Sequence, residues 1–142
     1  MAQVTQQMLR PAGIHVTIKA EPSGLYFTTD WLQTPLNITN WGNRATASQF
    51  LGTAYTTGAV WNASHWSNHT FDGLVAQLDA ELDLGKRKAI AKQIELIMMQ
   101  EVPAIIPFFI KAATFVRSNV QGYLPDAIGF RDLRRTYFSP SS

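Results

Sequence analysis

The residues best suited to chemistry follow a short strand pattern that runs from Leu36 to Trp41. The chain then reads Gly42, Asn43 and Arg44 before a run of small residues. A large aromatic ring can form one wall of a ligand-binding cleft, and glycine lets a ligand approach the backbone closely. Arginine presents a planar guanidinium that suits a carboxylate or a phosphate. We therefore predict ligand contacts at Trp41, Gly42, Asn43 and Arg44. The alternative is an ordinary strand exit with a core tryptophan and an arginine that pairs with a carboxylate.

A second polar and aromatic segment begins with Trp61 and Asn62 and ends at Trp66. It falls in a stretch from Gly42 to about Asn68 that we interpret as irregular, and loops of that length in compact domains are usually functional. We predict that Trp61 and Asn62 are further ligand contacts. The alternative is that these side chains only hold the loop in place.

Two histidines offer competing chemistry, because His65 and His69 are four residues apart and would share one face of a helix. Asp72 could be a third metal ligand. However, Trp66 stands where the HExxH pattern of metalloproteases has its glutamate, and the pair straddles Asn68, a candidate helix N-cap. A metal-binding receptor or metal-dependent hydrolase using His65 and His69 is therefore the alternative function, and we predict neither enzyme activity nor a cofactor.

The composition excludes several classes of protein. The 142 residues are 46% hydrophobic and 15% charged, which is typical of a globular domain rather than a disordered chain. The net charge of +2 includes no block of like charge, so we predict no nucleic-acid partner. The absence of cysteine excludes disulfides. The start at Met1 shows no signal-peptide pattern.

Periodicity predicts the helices that must position these residues. Apolar side chains at Val4 and Met8 indicate a short helix that Pro11 and Gly13 end, and Leu25 to Gln33 is interpreted as another. A longer helix is predicted after the N-cap Asn68, and a further one after Asp83 that ends at Pro103. The apolar faces of these two helices comprise Phe71, Leu74, Val75, Leu78 and Leu82 in the first, and Ile90, Ile94, Ile97 and Met98 in the second.

Strand patterns complete the predicted architecture. Besides Leu36 to Trp41, they cover Ile14 to Ile18, Ala104 to Ile110 and Thr114 to Arg117. Helices that alternate with such strands predict an α/β fold with a mixed sheet flanked by helices.

The order of the segments resembles that of a known family. The ordered set is Ala12-Gly13-Ile14, Trp41-Gly42, Phe71-Asp72-Gly73-Leu74, Asp83 with Lys86-Arg87, Ile106-Pro107-Phe108-Phe109 and Val120-Gln121-Gly122-Tyr123. From about Ala2 to Tyr123 this set resembles the C-terminal part of family 5 extracytoplasmic solute-binding proteins, the oligopeptide-, dipeptide- and nickel-binding receptors of ABC importers.

The resemblance implies part of one lobe of a type II periplasmic-binding-protein-like fold. Residues 1–118 would form the C-terminal part of the ligand-binding lobe, and residues 119–142 a tail that packs on the missing other lobe. The full-length protein would be periplasmic, with a peptide or small-molecule ligand and the membrane subunits of an ABC importer as partners. We expect the isolated fragment to self-associate, because a severed lobe exposes apolar surface.

One position departs from the family pattern. In peptide-binding relatives an Asp three residues after the Trp pairs with the α-amino group of the ligand, and here that spacing places Arg44 after Trp41. An arginine repels an ammonium group and attracts an acid. We therefore hypothesise that Arg44 binds an anionic group of the ligand, such as a peptide carboxylate, an acidic side chain, or an opine- or glutathione-like acid.

Overall fold

Three packed helices carry the core of the computed structural model, which describes residues 1–111, 113–126 and 129–139. They are α3 (Ala47–Ala54), α4 (His69–Ala80) and α5 (Leu84–Glu101), and α4 packs against both of the others. The fully buried apolar residues come from all three helices and from the residue after α3. They are Ala54, Tyr55, Phe71, Leu74, Val75, Leu78 and Ile94.

The most buried helix is α4, and a side-chain cap fixes where it begins. Asn68 is its N-cap, and the side-chain oxygen accepts a hydrogen bond from the Phe71 backbone N–H at 3.0 Å. The predicted apolar face is confirmed at four positions, with Phe71 completely buried. The prediction was wrong for Leu82, which is 93% exposed because the helix ends at Ala80.

Helix α5 begins and ends where the sequence predicted. The side chain of Asp83 caps it by accepting from the Lys86 backbone N–H at 2.8 Å, and Ile94 is its buried contact with the core. Val102 then adopts a left-handed conformation with φ of 48°, directly before Pro103. Both the α4 and the α5 predictions are therefore confirmed in position and type.

Helix α3 corrects the prediction that residues 42–68 are wholly irregular. Thr46 caps it by accepting from the Gln49 backbone N–H, and Gln49 in turn accepts from the backbone N–H of Ala45. This reciprocal pattern resembles a capping box. The hydroxyl of Ser48 donates to Asp79 at 2.8 Å and so joins α3 to α4.

The N-terminal third of the chain consists of short helical turns. Helix α1 (Ala2–Leu9) continues into a 3₁₀ turn (Arg10–Ala12) that closes at Gly13, whose φ of 78° favours glycine. Helix α2 (Ser23–Leu25) continues into a π-helical turn (Tyr26–Asp30). The predicted helices in both places are confirmed, although the first ends in a tighter 3₁₀ turn and the second is mostly a wider π-helical turn.

The predicted mixed sheet does not form within the described residues. Their strands are β1 (Val120–Gln121) and β2 (Tyr137–Phe138), which pair antiparallel and fold the tail back on itself. The four predicted strands, at residues 14–18, 36–41, 104–110 and 114–117, were wrong: among the described residues these segments have no ladder partner, and most of their apolar side chains are exposed. Exposed examples are Ile14, Ile38, Ile105, Phe109 and Val116. Residues 127, 128 and 140–142 of the predicted tail lie outside the described residues.

No helix among residues 1–111, 113–126 and 129–139 is both long and apolar enough to cross a membrane.

The core can be tested at Phe71. Replacing this ring by alanine leaves a cavity between the helices, so Phe71→Ala should lower the free energy of unfolding by about 3–5 kcal/mol. The matched control is Leu82→Ala at an exposed position, which should change it by no more than about 0.5 kcal/mol. Urea denaturation followed by circular dichroism measures both, and equal effects would contradict the assigned core.

The hydrogen bond between Thr57 in the loop and Asp72 in α4 predicts that the stability of the fold depends on pH. Burial disfavours ionisation of Asp72, but hydrogen bonds from Thr57 (2.9 Å from its backbone N–H) and from His69 outweigh burial and lower the pKa of Asp72 below 3.8. The ionised carboxylate therefore stabilises the fold fully above pH 3.8, and this stabilisation is lost as the pH falls through the lower folded-state pKa.

Compared with the wild type, Asp72→Asn should be less stable at pH 7 by about 1 kcal/mol, because it removes a charge that accepts hydrogen bonds at a helix N-terminus. Thermal melts of both proteins between pH 7 and pH 2 should show the gap closing below about pH 4. A gap that stays constant over this range would show that the charge is not the stabilising feature.

Candidate ligand-binding site

Four aromatic rings line a small open pocket of about 120 Å³. Phe27 and Trp31 contact each other edge to face with centroids 5.4 Å apart, and Trp31 lies 6.1 Å from Trp61. Trp61 in turn meets Trp41 edge to face at 5.7 Å. The structure therefore brings together the predicted site residues Trp41 and Trp61 and adds two rings that the sequence reading did not include. The remaining lining residues are Thr39, Asn40, Gly42 and Arg44.

The π-helical turn after α2 positions the two additional rings. Phe27 and Trp31 are four residues apart, and the Trp31 backbone N–H donates to the Tyr26 carbonyl at 2.8 Å. Lys19 holds the end of this turn through a hydrogen bond of 2.7 Å to Asp30, which lowers the pKa of Asp30. The sequence does contain a sign of these two residues, because Phe27 and Trp31 are aromatic residues at helical spacing. Only the tertiary structure shows that Trp31 contacts Trp61.

Arg44 lies against the tryptophans rather than against an acid. Its guanidinium carbon is 5.6 Å from the centroid of the Trp41 ring and 5.9 Å from that of Trp61. Nη1 donates to the carbonyls of Gly42 and Asn43, each at 3.2 Å. No carboxylate of the described residues lies within 4.0 Å of this guanidinium, so the alternative of a carboxylate ion pair is not realised among them. Gly42 and Asn43 thus orient the arginine through their backbones.

The indole of Trp31 carries a buried donor. Its Nε1 is shielded from solvent and has no hydrogen-bond partner among the described residues. A buried donor without an acceptor costs about 1–3 kcal/mol, so native proteins leave few of them. The ring of Trp31 therefore lines the pocket through its other atoms, because Nε1 has almost no accessible surface.

The backbone after Trp31 is strained and clamped. Leu32 has φ of 69° and His65 has φ of 53°, in the left-handed region that most side chains avoid. His65 Nε2 lies 2.9 Å from the Leu32 carbonyl, and because a carbonyl can only accept, this nitrogen carries the hydrogen and donates it. Such strain persists where the surroundings hold it, as this hydrogen bond holds the backbone directly after Trp31.

Asn62 is buried within the loop rather than exposed on the aromatic pocket. Its Nδ2 donates to the carbonyls of Thr56 (3.1 Å) and Trp66 (2.7 Å), and its Oδ1 accepts from Ser64 at 2.9 Å. The residue is only 5% exposed and borders a different, wider hollow of about 410 Å³. Its geometry therefore matches the alternative role of holding the loop.

The two histidines of the metal alternative are separately engaged. His65 lies in the loop and donates to Leu32, whereas His69 is the first residue of α4 and its Nδ1 is 3.3 Å from Asp72. In the part of the chain that the structure describes, no group of three or more histidine, cysteine or acidic side chains could hold a metal ion. The predicted shared helix face does not exist, because the helix begins only at His69.

Comparison with known proteins gives one distant relative. No family model matches the chain. Over 81 residues, or 57% of the chain, the sequence is 28% identical to dipeptide-binding protein DppE of Bacillus subtilis (strain 168). The matched stretch spans 15% of that protein, so the chain corresponds to a small part of its relative. This partial similarity supports, at a coarse level, the resemblance to a segment of a solute-binding protein.

The role of Asn62 can be separated from ligand binding by mutation. Asn62→Ala leaves the buried carbonyls of Thr56 and Trp66 without their donor, so it should lower the free energy of unfolding by about 1–3 kcal/mol. Ser64→Ala, which removes only the partner of Oδ1, is the milder matched control. Chemical denaturation measures both variants, and an Asn62→Ala protein of unchanged stability would contradict the role of this residue in holding the loop.

Proposed function

We propose that the chain is part of the extracytoplasmic substrate-binding component of an ABC importer, which captures a peptide or peptide-like solute carrying an anionic group. The observation that carries this proposal is Arg44, which lies beside both Trp41 and Trp61 at the pocket with no described carboxylate to neutralise it. The similarity to a dipeptide-binding protein supports the solute class. The protein binds its solute and does not transform it.

The geometry of Arg44 suits an acid. Among the described residues only Nη1 finds acceptors, the carbonyls of Gly42 and Asn43, so with respect to them the other guanidinium N–H groups can donate to a ligand. The faces of two indoles hold the cation in place without cancelling its charge. An arginine so placed attracts a carboxylate and repels an ammonium group, which favours recognition of the acidic end of a peptide over its amino end.

The architecture of the parent protein belongs to the same proposal. We assign residues 1–118 to the C-terminal part of a ligand-binding lobe and residues 119–142 to a tail that packs on the other lobe. Segment 104–110 supports this assignment, because it is apolar yet exposed, with Phe109 88% accessible. Exposed apolar surface of this extent marks a contact site, and a second lobe would cover it. The parent would act outside the cytoplasmic membrane, with the importer's membrane subunits as partners.

The charge of the ligand can be tested with N-acetyl-Ala-Ala and its C-terminal amide, binding being followed by tryptophan fluorescence. The acid should bind more tightly than the amide. Arg44→Ala should weaken binding of the acid about 10- to 100-fold, because a hydrogen bond to a charged group is lost, and should leave the amide little changed.

Arg44→Lys is the matched control for this experiment, and it should retain part of the preference for the acid, since it keeps the charge but not the fork. If acid and amide bind equally to the wild type and to Arg44→Ala, then Arg44 does not recognise an anion.

A further inference from the structure

The wide hollow that Asn62 borders is larger than the aromatic pocket beside Arg44. It measures about 410 Å³, against about 120 Å³ for the aromatic pocket. Trp31 and Trp61 line the aromatic pocket, whereas the residue that follows each of them, Leu32 or Asn62, lines the hollow. Small-molecule sites usually measure about 300–1,000 Å³, and of these two spaces the hollow alone falls in that range.

The polar side chains that line the hollow have hydrogen-bonding capacity that the described chain does not use. Gln33 is exposed, and its side-chain amide has no partner among the described residues. His65 donates from Nε2 to Leu32, so the neutral imidazole keeps Nδ1 as an acceptor, and no described residue donates to it. The hydroxyls of Thr57 and Ser67 lie 3.1 Å apart and share one hydrogen, so the second hydrogen has no acceptor in the described part of the chain.

These polar groups come from three separate segments of the chain. Gln33 follows the π-helical turn, Thr57 follows α3, and His65 and Ser67 precede α4. The hydrogen bond from His65 to Leu32 and the bond between Thr57 and Ser67 join the segments around the hollow. Polar groups that meet at one cavity can contact one ligand together, which scattered surface groups cannot do.

The lining of the hollow is uncharged. None of the described residues that form it carries a carboxylate, an ammonium or a guanidinium group. Asp72 accepts from the backbone N–H of Thr57 at 2.9 Å, but it is not among the lining residues. A charged ligand would therefore lose water without meeting a counter-ion, which costs more than the burial of a neutral polar group. The apolar residues Ala59, Val60 and Trp66 complete the lining and can cover carbon atoms.

We propose that the hollow is a second binding site, which takes an uncharged group that both donates and accepts hydrogen bonds, such as a carboxamide or a hydroxylated ring. A cavity of about 150 Å³ accepts a benzene ring, so about 410 Å³ accommodates a larger hydroxylated ring. Gln33, His65 and one hydroxyl of the Thr57–Ser67 pair bind its polar atoms. This inference goes beyond the proposed function, because it needs neither Arg44 nor an acid.

The side-chain amide signals of the chain give a direct readout. In ¹H–¹⁵N NMR titrations of the full chain, N-acetylglycinamide and D-glucose should each shift the side-chain amide signals of Gln33. Those of Gln77, an exposed glutamine of α4 outside the hollow, should not move. Gln33→Ala and Gln77→Ala identify the two sets of signals by their loss. Acetate and methylammonium, which carry one charge of either sign, should leave the Gln33 signals in place.

Affinities from the same titrations separate the hollow from the aromatic pocket. Gln33→Ala should weaken binding of both neutral probes about three- to tenfold, because one or two hydrogen bonds to the ligand are lost. Gln77→Ala is the matched control and should leave both affinities unchanged. Arg44→Ala should also leave them unchanged, since its guanidinium lines the aromatic pocket and not the hollow.

The two neutral probes also distinguish the sources of such a group. Tighter binding of N-acetylglycinamide assigns the hollow to an amide, as in a peptide, and tighter binding of D-glucose assigns it to a sugar; either order supports the inference.

Two results would overturn it. If neither neutral probe shifts the Gln33 signals, or if Gln33→Ala binds both probes as the wild type does, the hollow is not a binding site. If acetate or methylammonium shifts these signals as strongly as the neutral probes, the uncharged class is wrong. Neither result touches the effect of Arg44→Ala on acids, so the proposed function stands or fails separately.

Discussion

A chain of edge-to-face aromatic contacts joins the candidate site to the helical core, and the geometry of the site depends on it. Trp61 meets Trp41, Trp41 meets Phe50 at 5.0 Å, and Phe50 meets Tyr55 at 5.6 Å. Tyr55 is buried in the core beside α4, and burial raises the pKa of its hydroxyl. Each ring restrains the orientation of the ring that it contacts. The packing of α3 against α4 therefore helps to position Trp41 and Trp61, the two rings beside Arg44. The pocket is thus an extension of the core rather than a free loop.

Hydrogen bonds also hold the loop that contains Trp61. Glu101, the last residue of α5, accepts from Trp66 Nε1 at 2.6 Å and from Asn68 Nδ2 at 2.7 Å. It therefore anchors the end of the loop that contains Trp61, and the N-cap of α4, to the end of α5. Asn62 holds the same loop from inside. Binding residues on loops need such a rigid support to hold a defined geometry.

The sequence was most informative where local signals and burial agree. Helices α4 and α5 have a side-chain N-cap, and both were predicted with their starting points, whereas the predicted apolar face of α4 ran past its end at Ala80. The strand predictions were wrong because an alternating pattern indicates only that one face of a segment is apolar. It does not show whether a partner strand is present to pair with that segment. Helix α3 was missed although Ala47, Phe50, Leu51 and Ala54 recur at helical spacing, because the helix has only eight residues. Thr46 and Gln49 carry its capping signal. Of the predicted site, Trp41, Gly42, Arg44 and Trp61 converge on one pocket, whereas Trp31 could be placed there only by the tertiary fold.

The way in which Arg44 is held bears on what it can recognise. A guanidinium paired with a carboxylate has little net attraction left for a second acid, because the two charges cancel at short range. Cation–π contacts with Trp41 and Trp61 attract the side chain through the ring quadrupoles and leave its unit charge intact. The surrounding rings also exclude water from one side and so weaken screening of that charge. An arginine supported in this way can therefore act as a fixed cation for an incoming acid, which an acidic residue at the same position could not do.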